Sequence, residues 1–278
     1  MALKMFKIFL LTVAVIVAAL YVSLSYQRSA DLAASPILSP EDLTSSCVLL
    51  DVSEEAESHI PGAVHINYTD LCGEDEILKP PEDLARIFGK AGISDSDSVV
   101  IYGECRPCGG SGVTIHPSTL TYFALLYLGH RNVWLLDRGI TGWTNAGMPT
   151  ASETSKRPPA VYTPHPRGGL LASIDYIKNS DVQLVDARTV QEFEASTILG
   201  SINIPADTVV SGGWFREDSE LENLFRAKGL TKEKPVVVFT STGVKATVVW
   251  FALKRMGYDA RLFAMRRWVG AGETIVKP

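Results

Sequence analysis

Short apolar runs alternate along this chain with longer stretches of helical character. Val48-Leu49-Leu50-Asp51-Val52, Val99-Val100-Ile101-Tyr102 and Val133-Trp134-Leu135-Leu136-Asp137 read as strands, and so do Val182-Gln183-Leu184-Val185-Asp186, Val236-Val237-Val238-Phe239 and Ala260-Arg261-Leu262-Phe263-Ala264. Most are apolar throughout, as expected of strands covered on both faces. Between them lie segments of helical pattern stopped by glycine, at Gly92, Gly129, Gly229 and Gly257. Strands alternating with helices predict an α/β fold built on parallel sheets flanked by helices.

The pattern occurs twice. The first copy runs from Leu50-Asp51 through His59-Ile60-Pro61-Gly62-Ala63 to Gly142-Trp143, and the second from Asp186-Ala187-Arg188 through Gly200-Ser201-Ile202-Asn203-Ile204-Pro205 to Arg267-Trp268. Each copy has the size of an ordinary domain. The predicted organisation is an N-terminal segment 1–27, a first domain 37–150, a linker 151–168 and a second domain 169–278. The linker assignment rests on a composition rich in Pro, Ser, Thr and Lys, including Lys156-Arg157-Pro158-Pro159.

The first 27 residues change the picture. Lys4 and Lys7 precede an uncharged run from Ile8 to Gln27, nearly the roughly 20 residues that a bilayer core requires. Lysines on the leading side favour an N-terminus inside. The expectation is a signal-anchor transmembrane helix that holds the domains outside the cytoplasm. The alternative is a signal peptide cleaved near Ser23-Leu24-Ser25, which leaves a secreted protein.

Composition adds exclusions. A hydrophobic content of 46% describes a globular chain, and a net charge of -5 without a basic run in the body argues against nucleic acid as a partner. The five histidines are scattered without metal-ligand spacing, and no metal or organic cofactor is implied. Cys47 reads as a small core residue and Cys72 as a loop residue.

The remaining cysteines carry the candidate chemistry. Cys105-Arg106-Pro107-Cys108-Gly109-Gly110-Ser111-Gly112 follows a predicted strand and precedes a predicted helix. Such crossovers place side chains at the carboxyl edge of an α/β sheet. Glycines let successive N–H groups converge on an anion, and Arg106 and a nearby helix N-terminus favour a thiolate, which Glu104 opposes. Three uses remain open: sulfur transfer, a dithiol–disulfide redox pair, and an oxidised loop staple. His116 stands at the predicted helix start, where proton transfer or a capping role are both open. His59 and His65 read as packing and turn residues, Trp143 and Trp268 as core anchors, and Asp51 and Asp186 as acceptors of backbone hydrogen bonds. His130, after Gly129, sits where a helix end favours a partly positive ring.

Together these elements resemble a tandem rhodanese, of the thiosulfate/3-mercaptopyruvate sulfurtransferase superfamily. The resemblance covers nearly everything from Ile37 onward. It implies that a cysteine thiolate takes a sulfane sulfur from thiosulfate or a related donor, holds it as a persulfide and passes it to a thiol or other thiophilic acceptor. It also implies that the usual catalytic loop lies in the second domain. Here that loop is Thr240-Ser241-Thr242-Gly243-Val244-Lys245, with Thr240 where the family has its cysteine. A hydroxyl cannot hold a persulfide, so the second loop reads as degenerate. The resemblance makes Arg188 an anion contact, and Lys245 is its candidate companion; salt bridging is the plain alternative. Ser53 stands where an arginine often follows the strand aspartate in the first copy, and Arg106 is the local replacement for that charge.

The expectation is therefore a sulfurtransferase whose chemistry lies in the first domain. Cys108 is the sulfur carrier, Cys105 the resolving thiol (the roles being exchangeable), and Arg106, Gly109, Gly110, Ser111 and Gly112 line the anion site. The alternatives are a non-catalytic binding module and a Cys-x-x-Cys redox protein.

Overall fold

The computed structural model describes residues 35–74, 77–105 and 113–278. The predicted N-terminal helix lies outside them, and among the described residues no helix is long and apolar enough to cross a membrane.

The first sheet contains β1 (Ile37–Leu38), β2 (Cys47–Asp51), β3 (Val64–His65), β4 (Ser98–Tyr102) and β5 (Val133–Leu136), in the order β1-β5-β4-β2-β3. All its pairings are parallel. The second sheet has β6 (Gln183–Asp186), β7 (Ile202–Asn203), β10 (Val236–Thr240) and β11 (Ala260–Ala264), in the order β11-β10-β6-β7, again parallel throughout. A small antiparallel pair, β8 (Val210–Ser211) with β9 (Trp214–Phe215), stands apart. The α/β expectation with two copies of a parallel sheet holds. Register makes the correspondence residue by residue. Asp51 pairs with Tyr102 and Asp186 with Phe239, so Gly103 occupies the place in the first copy that Thr240 occupies in the second.

The helices are α1 (Pro81–Lys90), α2 (His116–Tyr127), α3 (Gly139–Asn145), α4 (Ile174–Asn179), α5 (Val190–Ala195), α6 (Asp218–Ala227), α7 (Ala246–Arg255) and α8 (Met265–Gly270). Helix α1 starts on Pro81 with Glu82 and Asp83 in its first turn and Lys90 in its last, the charge order that a helix dipole favours. Helix α5 opens on a capping box, with Thr189 and Glu192 each accepting the other's backbone N–H. Helices α2 and α7 differ in kind. Both are apolar on nearly every side, and almost every residue is buried, as befits helices enclosed by protein.

These two helices meet at the seam between the copies. The Thr119 and Thr247 hydroxyls lie 2.7 Å apart. Phe123 meets Trp250 edge-on with ring centres at 4.9 Å, and Tyr122 meets Phe251 likewise at 5.1 Å. One continuous core runs through both copies across this seam. The side chains of 151–168 are mostly exposed, as the composition suggested. The backbone is nevertheless tied to the first copy: Ser155, Ala160, His165 and Arg167 donate N–H groups to the carbonyls of Ala63, Gly89, Leu128 and Tyr127. Tyr162 is buried and its hydroxyl lies 3.1 Å from His130 Nδ1.

Candidate active site

Each parallel sheet directs its strand ends, and the loops after them, to one edge. In the second copy that edge opens into a cavity of about 400 Å³, with Arg188, Asp207, Thr240 and Lys245 on one wall and Val113 and His116 of the first copy on the other. The Thr240 hydroxyl accepts the Gly243 N–H at 3.0 Å, and the Thr242 hydroxyl accepts that of Val244 at 3.4 Å. Two amides that an anion would otherwise take are thus held by the loop's own side chains. Gly243 has φ +84, and any Cβ there would meet the Ile77 side chain of the first copy. Only glycine lets the seam close at this point.

Arg188 is buried, with its Nη2 2.5 Å from Asp186 Oδ2 and its Nε 3.0 Å from Oδ1. Its Nη2 also reaches the Ser196 carbonyl at 2.5 Å. Asp186 is fully buried and accepts further bonds from the Arg188 N–H and the Thr197 hydroxyl. The guanidinium lines the cavity while being committed to Asp186, so the structure supplies the salt bridge of the plain alternative. Asp51, the counterpart of Asp186, has no arginine. It accepts the Ser53 N–H at 2.9 Å and lies 2.6 Å from His59 Nδ1. Beyond the backbone bond that the sequence suggested, Asp51 has acquired a side-chain partner eight residues away.

The first sheet's edge also opens into a cavity, of about 670 Å³, bordered by Glu55, Glu57, Glu104, Ser53 and Gly103. Gly103 has φ +142, and a Cβ there would lie 2.6 Å from the Ser53 nitrogen. No side chain fits where the second copy carries Thr240. Three carboxylates make this edge unfavourable for an anion.

Cys105 does not line that cavity. It is 4% exposed and belongs to the core that crosses the seam. Its N–H donates to the Thr114 carbonyl, and its sulfur lies 3.2 Å from Glu54 Oε2 and 4.0 Å from the Tyr68 hydroxyl. Cys105 is disulfide-bonded, whereas Cys47 and Cys72 are free. Arg106, Cys108, Gly109, Gly110, Ser111 and Gly112 lie outside the described residues. Cys47 and Cys72 are each half-buried, and burial pushes the Cys72 thiol pKa up.

Tyr68 links Cys105 to the seam cavity. Its hydroxyl stands 3.4 Å from His116 Nε2, and the two rings meet edge-on at 5.3 Å. Burial, then the charges of Glu54 and Cys72, push the Tyr68 pKa up, so the phenol stays protonated. Burial brings His116 down to about 4, with Lys245 adding to the effect against a hydrogen bond to the Val113 carbonyl. The neutral ring therefore donates from Nδ1 to Val113 and offers Nε2 to Tyr68. The fold weakens accordingly as pH falls from about 6.5 towards about 4, because the unfolded chain binds that proton first. An NMR titration of the His116 ring should show no protonation between about pH 5 and 8; a midpoint near 6.5 would contradict the assignment.

The other histidine expectations divide. His59 is half-buried and His65 exposed. His130 is buried against Tyr162 and the Asp97 carbonyl, and desolvation lowers its pKa, so burial outweighs the helix-end effect expected there. Trp268 is a buried anchor and Trp143 a half-buried one, each with its indole N–H on a carbonyl. Among the described residues no group of three or more His, Cys, Asp or Glu side chains is placed to hold a metal ion.

The profile of the rhodanese-like domain matches residues 39–146 and again 174–266. The chain belongs to the rhodanese family. Similar rhodanese-family proteins include a putative thiosulfate sulfurtransferase of Synechococcus elongatus, 29% identical over 72% of this chain and 68% of that one. The sulfur carrier protein TtuD of Thermus thermophilus is also 29% identical, over 76% of this chain and 82% of its own length. Among solved structures, the 3-mercaptopyruvate sulfotransferase SseA of Escherichia coli superposes with a TM-score of 0.71 at 20% identity, covering 83% of this chain and 98% of that one. That likeness shows the tandem rhodanese fold.

Neither Tyr68 nor Glu54 was a candidate from sequence. They lie 37 and 51 residues from Cys105, and no local spacing connects them to it.

Proposed function

We propose that the chain is a sulfurtransferase that holds a sulfane sulfur as a persulfide on the Cys105–Cys108 loop, with Cys108 as carrier and Cys105 as resolving thiol. The observation that carries this reading is a rhodanese repeat whose second loop has Thr240 and whose first has the thiols. Cys105 is buried, and its sulfur lies 3.2 Å from a carboxylate, a setting that keeps an anionic donor away from it. The carrier role therefore falls to Cys108.

The reaction has two steps. The Cys108 thiolate attacks the outer sulfur of thiosulfate, an S–S bond forms, and sulfite leaves with the electron pair of the broken bond. A thiol or other thiophilic acceptor then removes the sulfur. Thiosulfate is the default donor because relatives such as the Synechococcus protein bear that activity in their names. Arg106 and the glycines 109, 110 and 112, with Ser111, hold the anion, while Arg188 stays paired with Asp186. Sulfite release from thiosulfate after prior reduction of the loop, measured in the wild type and in Cys105→Ser and Cys108→Ser, tests the reading. Turnover unaffected by both changes would sink it.

The disulfide at Cys105 favours a second reading, a dithiol redox protein. That protein would exchange disulfides with a defined potential and form no sulfur adduct.

The segment 1–27 is proposed to anchor the domains on the extracytoplasmic side. Membranes carrying the full chain should retain it through an alkaline wash, whereas a chain starting after residue 27 should be released. A full chain found wholly in the soluble fraction with residues 1–27 intact would overturn the anchor, and a mature terminus near Ser25 would replace it with cleavage.

A further inference from the structure

We infer that the seam carries a further binding site, at the amino edge of the first sheet, and that it takes a compact organic anion with a flat apolar body. The site is a cavity of about 420 Å³, within the size range of small-molecule sites. The first copy contributes Tyr122 and Leu126 from α2 and Arg131 from the turn before β5, and the second contributes Lys254 and Arg255 from the last turn of α7. Helices α2 and α7 start beside the cavity that holds His116 and Lys245 and end at this one. The two cavities therefore lie at opposite ends of one helix pair, and the site is independent of the sulfur chemistry.

Charge selects an anion. Three cations line the cavity and no carboxylate does. Arg255 is paired with Asp218, whereas Arg131 and Lys254 are exposed and have no ion-pair partner among the described residues. Against these two cations stands roughly half a negative charge at the C-terminal end of each helix, which leaves the cavity positive. An anion between Arg131 and Lys254 accepts charge-assisted hydrogen bonds from both copies. The Tyr122 hydroxyl adds a donor. It has no hydrogen-bond partner among the described residues, and burial pushes its pKa up to about 12, so it keeps its proton at neutral pH.

The helix surface selects the apolar body. Tyr122 and Leu126 are four residues apart on α2, hence on one face, and both are half-buried. The Tyr122 ring meets Phe251 edge-on at 5.1 Å and lies 6.5 Å from Trp250, so its position is set before a ligand arrives. Ring and Leu126 side chain form an apolar wall beside the two charges. An inorganic anion uses the charges alone, whereas a flat organic anion uses both. A ligand that touches both copies also holds the seam closed.

Equilibrium dialysis of the full chain against naphthalene-2-sulfonate tests the site. One equivalent should bind saturably, and sulfate, which lacks the apolar body, should bind at least about tenfold more weakly. Arg131→Gln and Lys254→Gln should each weaken binding about tenfold, the loss expected for a hydrogen bond to a charged group, and the double variant should be weaker than either. Lys90→Gln, at an exposed cation outside the cavity, should change nothing. Saturating naphthalene-2-sulfonate should raise the denaturant midpoint of the wild type and leave that of the double variant unmoved. Unchanged far-ultraviolet circular dichroism secures the comparison. No saturable binding up to about 1 mM, or an affinity unchanged in the double variant, would overturn the site. Sulfate binding as tight as naphthalene-2-sulfonate would overturn the ligand class.

Discussion

Replacing Cys105 and Cys108 together by serine should abolish sulfur transfer, by at least about 10³-fold, and leave the fold in place. The size follows from chemistry. A serine hydroxyl is no substitute for a thiolate as sulfur carrier, and the second copy offers no reserve, because 169–278 contains no cysteine. The Thr240 hydroxyl is already engaged by the Gly243 N–H. The single variants should differ. Cys108→Ser should lose the persulfide, whereas Cys105→Ser should form it and fail to resolve it internally, since Cys105 sits buried beside Glu54. Sulfite release and sulfide release, measured separately, distinguish the two. Equal loss of both products in both variants would remove the division of labour. Residual turnover in the double variant would return the chemistry to the second copy.

Arg188→Ala should destabilise the protein by about 3–5 kcal/mol, because it leaves the Asp186 carboxylate buried without its counter-charge. Total stabilities of about 5–15 kcal/mol make that a large fraction. The loss should appear as a lower denaturant midpoint. Arg188→Lys should rescue it poorly, since an ammonium cannot reproduce the Nε and Nη2 contacts with the carboxylate and the Ser196 carbonyl. A midpoint unchanged in Arg188→Ala, with only the KM for the sulfur donor raised, would show that the guanidinium serves the ligand instead of Asp186.

The architecture was legible because its signals are local. Apolar runs of strand length, glycine stops after helices and a repeated aspartate at a strand end are all read from neighbouring residues, and β2, β4, β6 and β10 fall on the expected runs. The uniform apolarity of α2 and α7 was visible too, and its cause is the seam they form. What sequence could not supply is long-range. Asp51 gains His59 while Asp186 keeps Arg188, and no spacing distinguishes the two outcomes beforehand. The helix-end rule for His130 failed because Tyr162, brought back by 151–168, buries the ring. Cys105 was expected at the sheet edge. The first copy's loop, longer than its counterpart, carries it into the seam core beside Tyr68 and Glu54, and leaves Gly103 and an acidic cavity at the edge.

Peptide mass spectrometry of the reduced chain after exposure to thiosulfate tests the central claim most directly. A mass increase of one sulfur on the peptide containing Cys105 and Cys108, absent from the double serine variant and from peptides of the second copy, is the predicted result. An adduct elsewhere, or none while sulfite is still released, would contradict it.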